Sequence, residues 1–186
     1  MKKIIVLFSG KASNLENILT TMHNKKIQVI ATFTNNKQAR GIGVSERFKI
    51  PCMIVDEKNF SDKDAYNKKL LGAINKLDFD LVVLAGYMKI IPEYFISNIQ
   101  TPMINIHPSL LPLHKGLDGA KKSYEDDSRY GGASVHYVVP QVDSGEIITQ
   151  KKIDKSKINN FTDYQKELSK VEFEILPIAI TKALKI

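Results

Sequence analysis

Asn105 and His107 stand two residues apart at the end of an apolar run, in "MINIHPSLLP", Met103 to Pro112. Side chains alternate along a strand, so these two polar groups project to the same side. Leaving both buried without partners would cost about 1–3 kcal/mol each. Pro108 has no N–H with which to continue a strand ladder, so the strand is expected to stop at His107. An amide that donates two hydrogen bonds and an imidazole that can carry a proton near neutral pH are thus delivered together. That pairing suits stabilisation of an oxyanion beside a general acid or base. A third candidate is Asp143 in "QVDSGEII", within a Ser-Gly turn. It can be read as a hairpin-building residue, or as a carboxylate that fixes the tautomer of His107 and raises its basicity. Spacing alone does not set the distance between them.

The elements that must position these residues follow from the apolar pattern. Short continuous runs, rich in Val and Ile, predict strands over Lys3–Phe8, Gln28–Thr34, Cys52–Val55, Leu81–Ala85 and Met103–His107. Segments of helical period lie between them. "SNLENILTTMHN" has Ser13 as a candidate N-cap with Glu16 three residues on. "SDKDAYNKKLLGAINKL" starts at Ser61 and puts Tyr66, Leu70, Ile74 and Leu77 on one face. Pro92 opens a short helix towards Ile99. After Pro108 a Pro-, Gly- and Lys-rich loop runs to about Gly119, followed by a short helix around Ala120–Asp126. Strands over Ala133–Val139 and Glu146–Ile153 and a last helix from Phe161 to about Leu184 complete the reading. Alternation of strand and helix predicts a single α/β domain over residues 1–186. Its expected core is a Rossmann-like, open, mostly parallel sheet with helices on both faces.

Ligands of such sheets bind outside the carboxyl ends of the parallel strands. After the first strand, "SGKASNLE" places the backbone N–H groups of Ala12, Ser13 and Asn14 at a helix N-terminus, a candidate phosphate site. It fits neither glycine-rich nucleotide pattern, and a capped tight turn is the alternative reading. After the fourth strand, "AGYMKIIP" offers apolar side chains that could wall a slot for a flat ring, or simply fill the core.

Composition narrows the function classes. The 186 residues carry a net charge of +7, spread as lysine doublets with no basic block and no Trp. They read as solvated surface charge rather than a nucleic-acid face. No apolar run approaches the ~20 residues of a membrane span. The run Ile4–Phe8 ends in Ser-Gly without a cleavage-site pattern, so a strand in a cytoplasmic protein is expected rather than an export signal. The one cysteine, Cys52, is expected to be a small buried hydrophobe. None of the four histidines lies in a metal-ligand spacing, so no metal is expected.

Taken together, "VLFSGKASNLENIL", "LVVLAGYMKII", "INIHPSLLP" and "VDSGEIITQKKI" resemble the glycinamide ribonucleotide formyltransferases, folate-dependent enzymes of purine biosynthesis, in order and spacing along essentially the whole chain. The resemblance implies transfer of formyl from 10-formyltetrahydrofolate to the amine of 5-phosphoribosylglycinamide, without metal or covalent intermediate. It implies Asn105, His107 and Asp143 as the catalytic trio, and Ala12, Ser13 and Asn14 at the substrate phosphate. Glu172 would meet the glycinamide part. Lys63, Met88, Lys89, Ile91, Gln141, Val142 and Asp143 would meet the folate. Partners would be these small molecules, and the chain a monomer or weak homodimer. The sequence departs from the family pattern at Ala12 (usually Gly), Lys63 (often Arg), Asp118 (usually His) and Ser169 (often Gln). Other formyltransferases of the same fold, acting on methionyl-tRNA or sugar nucleotides, and the formyltetrahydrofolate hydrolase share the trio.

Overall fold

The computed structural model describes all residues, 1–186. Seven strands make one sheet in the order β3-β2-β1-β4-β5-β6-β7, where β1 is Lys2–Phe8, β2 Ile27–Thr34, β3 Cys52–Ile54, β4 Leu81–Leu84, β5 Met103–His107, β6 Tyr130–Tyr137 and β7 Ile147–Asp154. The chain packs as two compact units, residues 1–104 and 105–186.

In the first unit, β1 pairs in parallel with both β2 and β4, and β2 with β3. Ile4 to Phe8 and Leu81 to Leu84 are buried without interruption. Consecutive strand residues face opposite sides, so these strands are covered on both faces, which is why their sequences are apolar throughout. The helices are α1 (Ser13–Thr21), α2 (Gly41–Arg47), α3 (Lys63–Ile74) and α4 (Glu93–Ser97). The sequence reading missed α2, whose two glycines and short length hide its period. It also misplaced two caps. Ala12, not Ser13, is the N-cap of α1, in a left-handed conformation and without a side-chain cap. Asp62, not Ser61, caps α3 by accepting from the Ala65 N–H. Leu77 lies beyond the end of α3. Cys52 is only half-buried, and Met53 and Ile54 are exposed, because β3 is the outer strand of the sheet.

In the second unit, β6 and β7 pair antiparallel, and α5 (Gly119–Glu125) and α6 (Phe161–Leu184) pack with them. Tyr164 of α6 is fully buried. Its hydroxyl meets Ser123 of α5 and accepts from the Gly132 N–H of β6, so one side chain ties three elements. Gly131 is obligatory against it, since a Cβ there would lie 2.2 Å from that hydroxyl. No helix is long and apolar enough to cross a membrane.

Candidate active site

The structure brings Asn105, His107 and Asp143 together within the second unit. β5 ends at His107 and presents both polar side chains. His107 is 4% exposed. Its Nδ1 lies 3.3 Å from Asp143 Oδ2, and the Asn105 amide nitrogen lies 3.4 Å from Asp143 Oδ1. Asp143 reaches them from a tight turn in which its own backbone is left-handed, at φ 47°, a conformation that Asp tolerates better than most residues. The Gly116 N–H donates to Asp143 Oδ2 at 2.8 Å and aims the carboxylate.

A fourth side chain, His136, completes the cluster, and sequence reasoning gave it no part. It is 2% exposed on β6, in a run that reads as core. Its Nδ1 meets the Tyr137 carbonyl at 2.8 Å. A carbonyl can only accept, so Nδ1 carries the proton. Nε2 then faces the Asn105 amide nitrogen at 3.2 Å and Asp143 Oδ1 at 3.3 Å. Both amide hydrogens of Asn105 therefore have an acceptor. A period-two alternation in β6 that placed His136 on the same side as Ser134 was the available signal; its meaning depends on β6 lying beside β5.

His107 obeys the same logic. Its Nε2 meets the His114 carbonyl at 2.8 Å, so Nε2 holds a hydrogen and Nδ1 is the nitrogen that gains or loses one. Burial pushes the His107 pKa down; the Asp143 charge and the His114 carbonyl act against it without overcoming it. Burial pushes Asp143 up, but the neighbouring His136, the bond from the Gly116 N–H and the adjacent His107 outweigh it, leaving the carboxyl below its usual range. The resting state is an anionic Asp143 facing the Nδ1 lone pair of a neutral His107, ready to stabilise a proton that arrives there.

The other predicted residues are placed as follows. Ala12 takes the left-handed turn (φ 57°) ahead of α1, and the first intrahelical bond runs from the Glu16 N–H to its carbonyl. A Cβ on Gly41 would lie 2.5 Å from the Ala12 methyl, so α2 closes down on this turn. Ser13 and Asn14 begin α1, with Asn14 buried. Lys63 is the first residue of α3. In the stretch after β4, Met88 is 65% exposed, Ile91 is buried, and Lys89 pairs with Glu57. The Met88 N–H donates to the Ser9 hydroxyl at 2.8 Å, which joins this stretch to the end of β1. Gln141 and Val142 lead into Asp143, where the Ser144 N–H closes a turn on the Gln141 carbonyl. Glu172 is half-buried on α6. At the departures from the family pattern, Asp118 is exposed and precedes α5 in a left-handed conformation without capping it, and the Ser169 hydroxyl bonds back to Gln165 in its own helix.

Residues 2–180 match the formyl transferase family model. The phosphoribosylglycinamide formyltransferase of Haemophilus influenzae is 32% identical over 182 residues, covering 97% of this chain and 86% of that protein. The enzyme of the same name from Bacillus subtilis is 31% identical, over 99% of this chain and 95% of that protein. Among solved structures, phosphoribosylglycinamide formyltransferase from Campylobacter jejuni superposes with a TM-score of 0.92 at 37% identity, covering 97% of this chain and 96% of that one. With that coverage at that identity, and an Asn, His and Asp gathered where the strand ends, the chain belongs to the formyl transferase family, among its phosphoribosylglycinamide formyltransferases.

Proposed function

We propose that this chain transfers the formyl group of 10-formyltetrahydrofolate to the amine of 5-phosphoribosylglycinamide, with Asn105, His107 and Asp143 as the catalytic groups. The observation that supports it most is the juxtaposition of a buried His107 with Asp143, 3.3 Å apart, beside the Asn105 amide. The amine attacks the formyl carbon, a new C–N bond forms, and the carbonyl electrons move onto oxygen. The oxyanion takes hydrogen bonds from the Asn105 amide and, once His107 has taken up the amine proton, from the imidazolium so formed. In the unliganded arrangement both Asn105 hydrogens have acceptors, so the oxyanion takes over one of those bonds. The longest, to Asp143 at 3.4 Å, is the one that costs least to exchange. The amine loses its proton to His107 Nδ1, where Asp143 stabilises the imidazolium. Collapse of the intermediate breaks the bond to folate N10, which leaves with the proton that His107 took from the amine, and His107 returns to its neutral form.

Ala12, Ser13 and Asn14 are assigned to the substrate phosphate and Glu172 to the glycinamide portion. Lys63, Met88, Lys89, Ile91, Gln141 and Val142 are assigned to the folate. Met88 has an exposed side chain, a backbone N–H held by the Ser9 hydroxyl and a neighbour, Lys89, paired with Glu57, so it is suited to cover an incoming ring. Lys63 offers a folate carboxylate one point charge where Arg would offer a fork. The test is a spectrophotometric assay with 10-formyl folate donor, with and without glycinamide ribonucleotide. Folate release that requires the acceptor is expected. Release without the acceptor would mean a hydrolase, and no release would mean another acceptor, sugar nucleotides first.

A further inference from the structure

We propose that His114, Asp126 and Lys155 form an anchor that positions the His107–Asp143 pair, an inference that rests on the formyl-transfer reading above. Residues 113–116 touch both members of the pair. The His114 carbonyl accepts from His107 Nε2 at 2.8 Å, and the Gly116 N–H donates to Asp143 Oδ2 at 2.8 Å. One short stretch of backbone therefore sets where the imidazole and the carboxylate stand relative to each other.

That stretch is not held by its own preference. His114 is left-handed, at φ 54°, which costs a residue with a Cβ about 1–2 kcal/mol. Its side chain supplies the restraint. His114 Nε2 lies 2.6 Å from Asp126 Oδ2, with both side chains only about a quarter exposed at 22% and 25%. The other carboxylate oxygen of Asp126 takes Lys155 Nζ. Lys155 is a lysine with 9% of its side chain exposed, and it also donates to the carbonyls of Ser123 at 2.7 Å and Asp126 at 2.8 Å. Those carbonyls end α5, where the helix leaves acceptors open and its dipole favours a cation. A buried ammonium must be paired to be tolerated, so Lys155 fixes Asp126, Asp126 fixes the His114 ring, and the ring fixes its own carbonyl. On the inner side the Ser109 hydroxyl donates to the Leu113 carbonyl at 2.6 Å, so the segment is pinned on both flanks.

The anchor predicts a loss in the chemical step rather than in binding. In Asp126→Ala, kcat falls about ten- to hundredfold, as expected when a reacting group is misplaced by around an ångström. KM for both substrates stays within about twofold, because the anchor touches neither. His114→Gln is the conservative variant: its amide nitrogen stands about where Nε2 stands and can still donate to Asp126. It recovers most of the turnover. Asp126→Asn replaces Asp126→Ala if the latter shows no native thermal transition. Nitrogen-15 imidazole NMR gives a readout independent of activity. Wild-type protein is expected to show a slowly exchanging His107 Nε2–H, identified by its absence in His107→Asn. Asp126→Ala loses that protection and His114→Gln keeps it. Retention of the protected resonance in folded Asp126→Ala, or kcat unchanged there, overturns the anchor, as does a fall in kcat that His114→Gln shares. If wild-type protein transfers no formyl group, the functional reading fails, and the resonance still tests the anchor.

Discussion

His107 is held between two opposing influences, and the balance sets a pH dependence. Burial lowers its pKa below the ordinary 6.5, and the Asp143 charge pushes the other way. Acting as a base, the ring must be neutral to accept the amine proton. The acid limb of kcat/KM therefore lies below pH 6.5, and Asp143→Ala, which removes the raising influence, moves that limb to still lower pH. Stability follows the same sign. A histidine whose folded pKa is depressed contributes stability that is complete above its unfolded pKa and lost as pH falls through the folded one. Thermal unfolding is expected to come at lower temperature at pH 5 than at pH 7.5, with the depressed Asp143 and Asp126 carboxyls adding losses further down. At this scale the sequence was partly legible. Strand alternation and Pro108 put Asn105 and His107 on one side at the strand end. His136 was hidden because a histidine amid Val and Ala looks like core until its neighbouring strand is known.

The elements explain why the site tolerates so little. Gly119 begins α5, and a Cβ there would lie 2.8 Å from His107 Nε2 and 3.2 Å from the His114 carbonyl. Alanine at a helical position favours the helix by about 1 kcal/mol. Overpacking against the ring costs about 1–3 kcal/mol. Gly119→Ala is thus expected to shift stability by no more than about 2 kcal/mol while cutting kcat about ten- to hundredfold. Circular dichroism melting beside steady-state kinetics checks both halves, and a variant with unaltered kcat would show that the ring has room. Gly41→Ala tests the other loop: its Cβ would meet the Phe8 ring at 2.4 Å and the Ala12 methyl at 2.5 Å. A destabilisation of about 1–3 kcal/mol is expected, read from the denaturant midpoint. Helix starts were where sequence reasoning slipped. Ser13–Glu16 has a capping-box spelling, yet the turn before α1 is made by a left-handed Ala12, which shifts the helix by one residue and leaves Ser13 inside it. Short α2 carried too few turns for its period to show.

For the whole molecule, a net charge of +7 meets two anionic substrates. Positive potential raises encounter rates with anions, and salt screens it over about 10 Å at 0.1 M. Raising ionic strength is therefore expected to lower kcat/KM while leaving kcat nearly constant. The α/β architecture was legible from unbroken apolar runs alternating with amphipathic segments, because β1 and β4 are covered on both faces. The pairing of β6 with β7 was legible only as two strands and a turn, with bounds that moved from Ala133–Val139 to Tyr130–Tyr137, since edge-side strands carry polar residues that blur their ends. The central claim is that the Asp143-supported His107 moves the proton during formyl transfer. Its most direct test is the turnover of folded Asp143→Asn beside wild type, with glycinamide ribonucleotide as acceptor. A fall of about 10²–10⁴-fold is expected for loss of general acid–base catalysis. Turnover close to wild type would contradict the account.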